Sequence, residues 1–285
     1  KVNYILKGND GTYGILVELT LKIFRHMPEN RQRFAFMFPS WKAATTASRE
    51  ILQGEFGLPA VYRISDAEET DTGLKLKGYS GGVFDKYMQL RGMKPAKRCI
   101  CIGSVEGEIG FAKHVKRQIA RTARAHGAVT LGESPARHWE KDRYADIHIR
   151  ESLLDYGIVL DTLETGVTWD NLHRLHEGVR SFVKQRPNTV CMTHASHFYP
   201  QGTNLYFIFI MKPRDPEEFF AFRKGAVDKI VELGGSVSHH HGVGRMLAPW
   251  MGTFLGSEQL QVLQAIKKHF DPNNIMNPGN LLDTR

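Results

Sequence analysis

A strand-helix-strand pattern that occurs twice limits what this chain can fold into more than any other feature. Arg33 to Phe38 is an apolar run of strand length, Ser40 can cap a helix running to about Gln53, Gly54 and Gly57 break it, and Ala60 to Ile64 returns as a strand. Past a stretch containing Gly and Lys over residues 73–95, the pattern repeats. Arg98 to Ile102 reads as a strand, about Gly107 to His126 as a helix stopped by Gly127, and Ala128 to Leu131 as a strand. The second half is spaced differently. Gly157 to Leu163 is a strand, and Trp169 to Lys184 sets Leu172, Leu175, Val179 and Phe182 in helical rhythm until Pro187. Thr189 to His194 and Asn204 to Met211 are strands around the turn Tyr199-Pro200-Gln201-Gly202, and Asp215-Pro216-Glu217-Glu218 opens a helix reaching Leu233. Such alternation makes an α+β fold, expected as an antiparallel sheet covered on one face by helices. At the ends, the expectation is a strand from Tyr4 to Leu6, a glycine turn, a strand from Ile15 to Phe24 closed by Met27-Pro28-Glu29-Asn30, and a last helix from Ser257 to His269 stopped by Asp271-Pro272.

Composition narrows the function classes. At 285 residues, 41% apolar and 24% charged, the chain suits one large domain or two smaller ones. No apolar run approaches the roughly 20 residues that cross a bilayer. The net charge of +8 suits phosphate-bearing substrates, acidic lipid surfaces or nucleic acid. Without a base-stacking motif, zinc finger or helix-turn-helix, nucleic acid is not expected. Three cysteines, an odd number in a chain too large to need staples, point to a reducing, intracellular and cytoplasmic setting. Cys99 and Cys101, two apart on a strand, share one side and read as core rather than as a redox pair. The chain begins at Lys1 and reads as the later part of a longer protein.

Chemistry concentrates in Gly234-Gly235-Ser236-Val237-Ser238-His239-His240-His241-Gly242-Val243-Gly244-Arg245. Adjacent imidazoles suit proton transfer, anion contact or metal ligation, and the glycines let backbone approach a ligand closely. The alternative is a polar loop whose histidines satisfy backbone groups. Extended backbone would point His239 and His241 one way and His240 the other. A second candidate is His197, near the turn that leads to Tyr206, whose phenol could donate or accept a proton or simply anchor the sheet. Arg63 and Arg150 could clamp a phosphate or carboxylate, although pairing of Arg63 with Asp66 and of Arg150 with Glu151 explains the same letters. The early glycine turn could hold an anion on backbone amides, but it lacks the Lys-Ser/Thr ending of a P-loop.

Three ordered segments then carry a resemblance. Gly8-Asn9-Asp10-Gly11-Thr12-Tyr13-Gly14-Ile15, the histidine segment from Gly235 to Gly244, and Asp271-Pro272-Asn273-Asn274-Ile275 with Asn277-Pro278-Gly279-Asn280 resemble motifs of FAD-linked oxidases in the vanillyl-alcohol oxidase and p-cresol methylhydroxylase (PCMH) superfamily. Within that group the likeness is greatest to the alkyl-dihydroxyacetone-phosphate synthase family. The resemblance implies the last hairpin of a PCMH-type FAD-binding domain over residues 1–29, a duplicated ferredoxin-like cap or substrate domain over 30–236, and a C-terminal helical segment over 237–285 that returns to the flavin. It implies FAD as cofactor and an exchange of acyl for alkyl on dihydroxyacetone phosphate through a flavin N5 adduct, in ether-lipid synthesis. Tyr206, His239, His240 and His241 would be catalytic, Arg63, Arg150, His197 and Arg245 would bind substrate, and Gly8, Asn9, Gly11, Thr12, Gly14, Ile15, Asn277 and Asn280 would meet the cofactor. Expected partners are the upstream FAD-binding domain, a phosphate- or carboxylate-bearing small molecule or lipid, a membrane surface touched peripherally, and a second copy in a homodimer. Asp10 and Tyr13 depart from the family's Glu and Leu. A competing resemblance is to FAD-dependent 2-hydroxyacid dehydrogenases, whose metal-binding Gly-Asp-Gly-Asn loop and Glu-His-Gly pair this chain lacks; His197 and His240 could face a metal, but two neutral ligands without a carboxylate make a poor cage, so no metal is assigned.

Overall fold

The computed structural model describes residues 5–145 and 148–282. Seven strands form one sheet: β1 (Gln32–Phe38), β2 (Val61–Ser65), β3 (Cys99–Val105), β4 (Val129–Gly132), β5 (Val159–Thr168), β6 (Val190–Ala195) and β7 (Gly202–Met211), in the order β4-β1-β3-β2-β6-β7-β5 with every neighbouring pair antiparallel. The order of β1 to β4 is that of one ferredoxin-like unit. Strands β5 to β7 repeat it without a fourth strand, and β2 joins β6 to unite the halves.

Helices α1 (Trp41–Gln53), α4 (Ile109–Ala125), α7 (Leu172–Gln185) and α8 (Pro216–Glu232) cover one face. Between α1 and α4 lie α2 (Ala67–Leu76) and α3 (Val83–Leu90), and between α4 and α7 lie α5 (Ser134–Asp142) and α6 (Ile149–Leu154). The caps are those the sequence proposes: the Ser40 hydroxyl accepts from the Ala43 N–H at 3.2 Å and the Asp215 carboxylate from the Glu218 N–H at 2.7 Å. Phe34, Phe36 and Phe38 of β1, Cys99 and Cys101 of β3 and Phe207 and Phe209 of β7 fill the core under those helices. Both cysteines are buried and free, and burial pushes the Cys101 thiol up to about 12, so the core reading holds and a redox role does not.

Cover on one face only is corrected by the structure. In β1 and β3 the residues of the opposite face, Ala35, Met37, Ile100 and Ile102, are apolar too, so α2, α3 and α5 close that face over the first half. Over β6, β7 and β5 the same face carries His194, Tyr206 and Glu164; α2 reaches it at β6, and it is otherwise bare of the helices that close the first half.

The N-terminal hairpin also differs. Tyr4 lies outside the described residues, Ile5 and Leu6 sit in a helical turn, and residues 15–27 form no regular element. The alternation from Ile15 to Phe24 satisfies a strand pattern, but a strand needs a neighbour to bond, and Ile15, Val17, Leu19, Leu21, Ile23 and Phe24 stand exposed. The chain ends in short helices α9 (Gly244–Leu247) and α10 (Met251–Leu255) and the longer α11 (Ser257–Phe270). Among the described residues no helix is long and apolar enough to cross a membrane.

Candidate active site

On the bare face a row of side chains runs across three strands. Glu164 of β5 is paired in register with Tyr206 of β7, which is paired with His194 of β6. Directly opposed residues of antiparallel strands share a face. The His194 and Tyr206 rings stack at 4.6 Å between centroids and 14° between planes. His194 Nδ1 in turn meets Glu69 Oε1 at 3.1 Å and Arg63 Nη2 at 3.0 Å, and Arg63 pairs with Glu69 at 2.5 Å.

The histidine segment lies where the missing fourth strand of the second unit would be, along the free edge of β5. Its first residues begin a ladder: the Ser236 N–H donates to the Gly166 carbonyl at 3.1 Å and the Thr165 hydroxyl to the Ser236 carbonyl at 2.7 Å. The Ser236 hydroxyl then takes the Gly166 N–H at 2.7 Å in place of a backbone carbonyl, and the ladder stops. Beyond it the chain curls onto Glu164. One carboxylate oxygen, Oε1, accepts from the Ser238 hydroxyl at 2.6 Å and from the backbone N–H of His239, His240 and His241 at 2.8, 3.0 and 3.0 Å. Three consecutive N–H groups aimed at one oxygen form an anion-binding nest. The extended alternation expected of the triplet is thereby overturned: a buried carboxylate 75 residues upstream, not strand pairing, sets the backbone.

The curl turns the imidazoles toward Tyr206. His241 meets its ring edge-on at 5.1 Å, His240 lies 6.3 Å from it and 4.3 Å from His197, and the Tyr199 hydroxyl touches His239 Nε2 at 3.0 Å. His197 is held from below, since buried Asn204 accepts the N–H of Ser196 and of His197 at 3.0 and 2.9 Å. The Tyr206 hydroxyl has no hydrogen-bond partner among the described residues.

Burial works against ionisation of Glu164, but the Ser238 hydroxyl and the three backbone N–H groups outweigh it and keep the carboxyl below its usual range. Burial lowers His197, His239 and His240. Repulsion from a neighbouring imidazole adds to it in each, while Glu164 pulls the other way, so all three are neutral at pH 7. Glu164 Oε2 accepts no hydrogen bond and lies 3.3 Å from His240 Nδ1. His197, His239 and His240 each offer a ring nitrogen within 4.8 Å of the others, a group that could hold a metal ion where the sequence reading assigned none.

The three motifs meet. Asp10 Oδ2 accepts the N–H of Val243 and of Gly244, both at 3.0 Å, so the early glycine turn holds the far end of the histidine segment. The Asp10 carbonyl accepts from the Asn277 and Asn280 amides at 2.6 and 3.0 Å, and buried Lys267 donates to the carbonyls of Thr12 and Met276 at 2.9 and 2.6 Å. Asn277 and Asn280, read as cofactor contacts, thus use their amides on this turn. Gly8 and Gly11 take φ of 70° and 75° there, Gly14 has open space where a Cβ would be, and Ile15 is exposed. Asn9 Oδ1 and Thr12 Oγ1 are buried without partners, unmet polar atoms that fit a turn lying against a bound group such as FAD.

Arg63 reaches the site, but paired with Glu69 rather than with Asp66, which caps α2 and binds Arg180 at 2.8 Å and His176 at 3.3 Å. Arg150 on α6 and Arg245 on α9 are exposed and make no ion pair among the described residues, so the Glu151 alternative for Arg150 does not hold. Glu164, His194 and Glu69 were not singled out by sequence. For His194 the one signal was an imidazole near the end of a largely apolar strand; Glu164 stands on a mixed strand and Glu69 on α2, where an acid reads as solvated.

With this geometry in view, the comparisons are decisive. The family profile described as FAD linked oxidases, C-terminal domain, matches residues 27–281. This chain belongs to the FAD-linked oxidase family. An alkyldihydroxyacetonephosphate synthase of Dictyostelium discoideum is 32% identical over 99% of this chain and 49% of its own length. An uncharacterised FAD-linked oxidoreductase of Escherichia coli strain K12 is 28% identical over 98% of this chain and 57% of its own. The chain therefore spans about half the length of these members of the FAD-linked oxidase family. A solved alkyldihydroxyacetonephosphate synthase superposes with TM-score 0.69 at 26% identity, over 98% of this chain and 49% of the other. The 4-ethylphenol oxidase of Gulosibacter chungangensis, at 12% identity and TM-score 0.63 over 89% of this chain and 54% of its own, shares the fold alone.

Proposed function

We propose that this chain is the substrate-binding part of an FAD-dependent enzyme that exchanges the acyl group of acyl-dihydroxyacetone phosphate for an alkyl group, the reaction of ether-lipid synthesis. The observation that carries the reading is the convergence of Tyr206, His240 and His241 on the bare sheet face, beside a glycine turn that resembles a motif of FAD-linked oxidases and is tied to the histidine segment through Asp10. The likeness to the synthases supports the substrate class.

FAD, when bound, would supply a ring that can hold the reacting carbon between loss of the acyl group and arrival of the alkyl group, so no net redox change is needed. Gly8, Asn9, Gly11, Thr12 and Gly14 would lie against it. This chain's own groups move protons. Neutral His240 can take the proton of the incoming alcohol, Tyr206 can give one to the departing carboxylate, and Glu164 fixes the histidine backbone in one arrangement. Arg150 and Arg245, exposed and unpaired, are the candidates for the phosphate, and Arg63 orients His194 beneath Tyr206.

The division at residues 29 and 236 belongs to the same proposal. The exposed apolar side chains from Ile15 to Phe24 become a strand once an FAD-binding domain in the longer protein provides its neighbour, and the segment from 237 onward returns to that junction through Asp10.

Incubation of the full-length protein with acyl-dihydroxyacetone phosphate and a labelled fatty alcohol yields labelled ether product. FAD-loaded protein that releases none contradicts the reading. A second reading, oxidation of a 2-hydroxyacid or alcohol, is favoured by the histidine trio that could hold a divalent ion and by the oxidoreductase relative. It is supported instead if a hydroxyacid bleaches the flavin absorbance and a chelator prevents it.

A further inference from the structure

Residues 75–97, the excursion between β2 and β3, are apolar on two sides. The inner side is ordinary. Leu74, Met88 and Met93 are buried with half-buried Phe84 against Met37, Ile100, Val129 and Leu131 of the sheet. The excursion is firmly tied. Buried Asp85 accepts the Gly81 N–H at 3.1 Å and the Gln89 amide at 3.2 Å and pairs with Arg98, which is 1% exposed. Arg98 also pairs with Asp71 at 2.8 Å, and Asp71 accepts the Ala96 N–H at 2.6 Å.

The outer side has no such explanation. Val83, Tyr87 and Leu90 stand at i, i+4 and i+7 on α3 and form one stripe on its outward face, with Val83 and Leu90 exposed to 86% and 87%. Leu76 and Tyr79, ahead of α3 in the same excursion, are exposed as well. Single exposed apolar residues are normal, but a periodic stripe on a helix whose other face already serves the core is not. The excursion also exposes Lys75, Lys77, Lys86, Arg91, Lys94 and Lys97, of which Lys77 pairs with exposed Asp142 of α5 at 3.3 Å. The segment's lone acid, Asp85, is turned inward onto Arg98, so the segment's own exposed charges are all positive.

We propose that this surface docks the protein on an anionic lipid bilayer, with Val83, Tyr87, Leu90, Leu76 and Tyr79 entering the headgroup boundary and the lysines and Arg91 meeting lipid phosphates. Apolar side chains ringed by Lys and Arg are the arrangement that interfacial helices use, and basic residues near such a surface are drawn to anionic lipid. A second copy of the chain fits poorly, because a two-fold contact would set like charges against each other. Nucleic acid would leave the apolar stripe unused. The excursion lies on the same side of the sheet as the bare face, and α2, which leads into it, starts at the site with Glu69 against His194. Docking there brings a lipid-borne substrate to the site's side of the molecule, a benefit that rests on the proposed function, whereas the docking itself does not.

The test is co-sedimentation of the full-length protein with phosphatidylcholine vesicles, with and without about one third phosphatidylserine. Binding is expected only with phosphatidylserine and weakens with added salt. Val83→Glu/Leu90→Glu and, separately, Lys86→Glu/Lys94→Glu each lower the bound fraction about tenfold, with thermal unfolding and turnover of a water-soluble short-chain substrate unchanged. Wild-type protein that ignores the anionic vesicles, or both variants binding as wild type does, overturns the proposal. So does a dimer that either variant dissociates, which would identify a second copy as the occupant. Vesicle binding without ether synthesis would leave the docking intact and remove only the proposed reaction.

Discussion

Glu164 decides the shape of the site. Its side chain is 2% exposed, and four hydrogen bonds to Oε1 hold Ser238 and the three histidine amides at once. Glu164→Ala leaves three N–H groups and the Ser238 hydroxyl without their acceptor and is expected to destabilise the chain by about 3 kcal/mol, measured by urea unfolding; a change near zero would mean that the segment holds its curl by other contacts. The triplet itself was legible in the sequence, since adjacent imidazoles between glycines have little use in a core. Its conformation was not, because the controlling carboxylate stands on a strand where a lone Glu is indistinguishable from a solvated one. His194 was hidden in the same way, inside a run that reads only as a strand.

Elements with their own start and stop signals were legible. Ser40, Asp215, Gly127 and Pro187 mark helix ends by local chemistry, and the structure has them where expected. What depends on a distant neighbour was not. Ile15 to Phe24 has a strand's pattern without a partner among the described residues, and the second face of β1 and β3 needed cover that only the sheet order reveals. The histidine segment is the clearest instance, an edge piece that begins as a strand beside Gly166 and is diverted by Ser236 and Glu164. Its far end is pinned by Asp10. Asp10→Ala removes two hydrogen bonds from a charged acceptor and is expected to cost about 2 kcal/mol, read as a lower thermal midpoint. The same variant raises KM for the acyl substrate more than it lowers kcat, and an unchanged midpoint would show that the contact contributes nothing.

At the scale of the molecule, the two half-units meet through β2 and β6, and buried ionisable groups gather at that seam. Burial lowers His194, with Arg63 adding to it against Glu69, and burial lowers His176 against the pull of Asp66. Burial opposes ionisation of Glu69, yet Arg63 and His194 outweigh it and bring it to about 2. The unfolded chain binds protons that the folded chain refuses, first on the histidines below their ordinary 6.5 and then on Glu69 below its ordinary 4.5. The thermal midpoint therefore falls as pH drops below 6.5 and falls more steeply below 4.5. A midpoint that holds or rises down to that second value would contradict this assignment.

The central claim is that Tyr206 and the histidines of the curled segment act together on substrate at the bare face of the sheet. The most direct measurement is the rate of fatty-acid release from acyl-dihydroxyacetone phosphate by flavin-loaded full-length protein, comparing wild type with Tyr206→Phe and His240→Ala. Each variant is expected to keep its FAD and its fold and to slow release about a hundredfold, the scale of losing a general acid or base. Wild-type rates in either variant would remove that side chain from the chemistry, and wild-type rates in both would contradict the account.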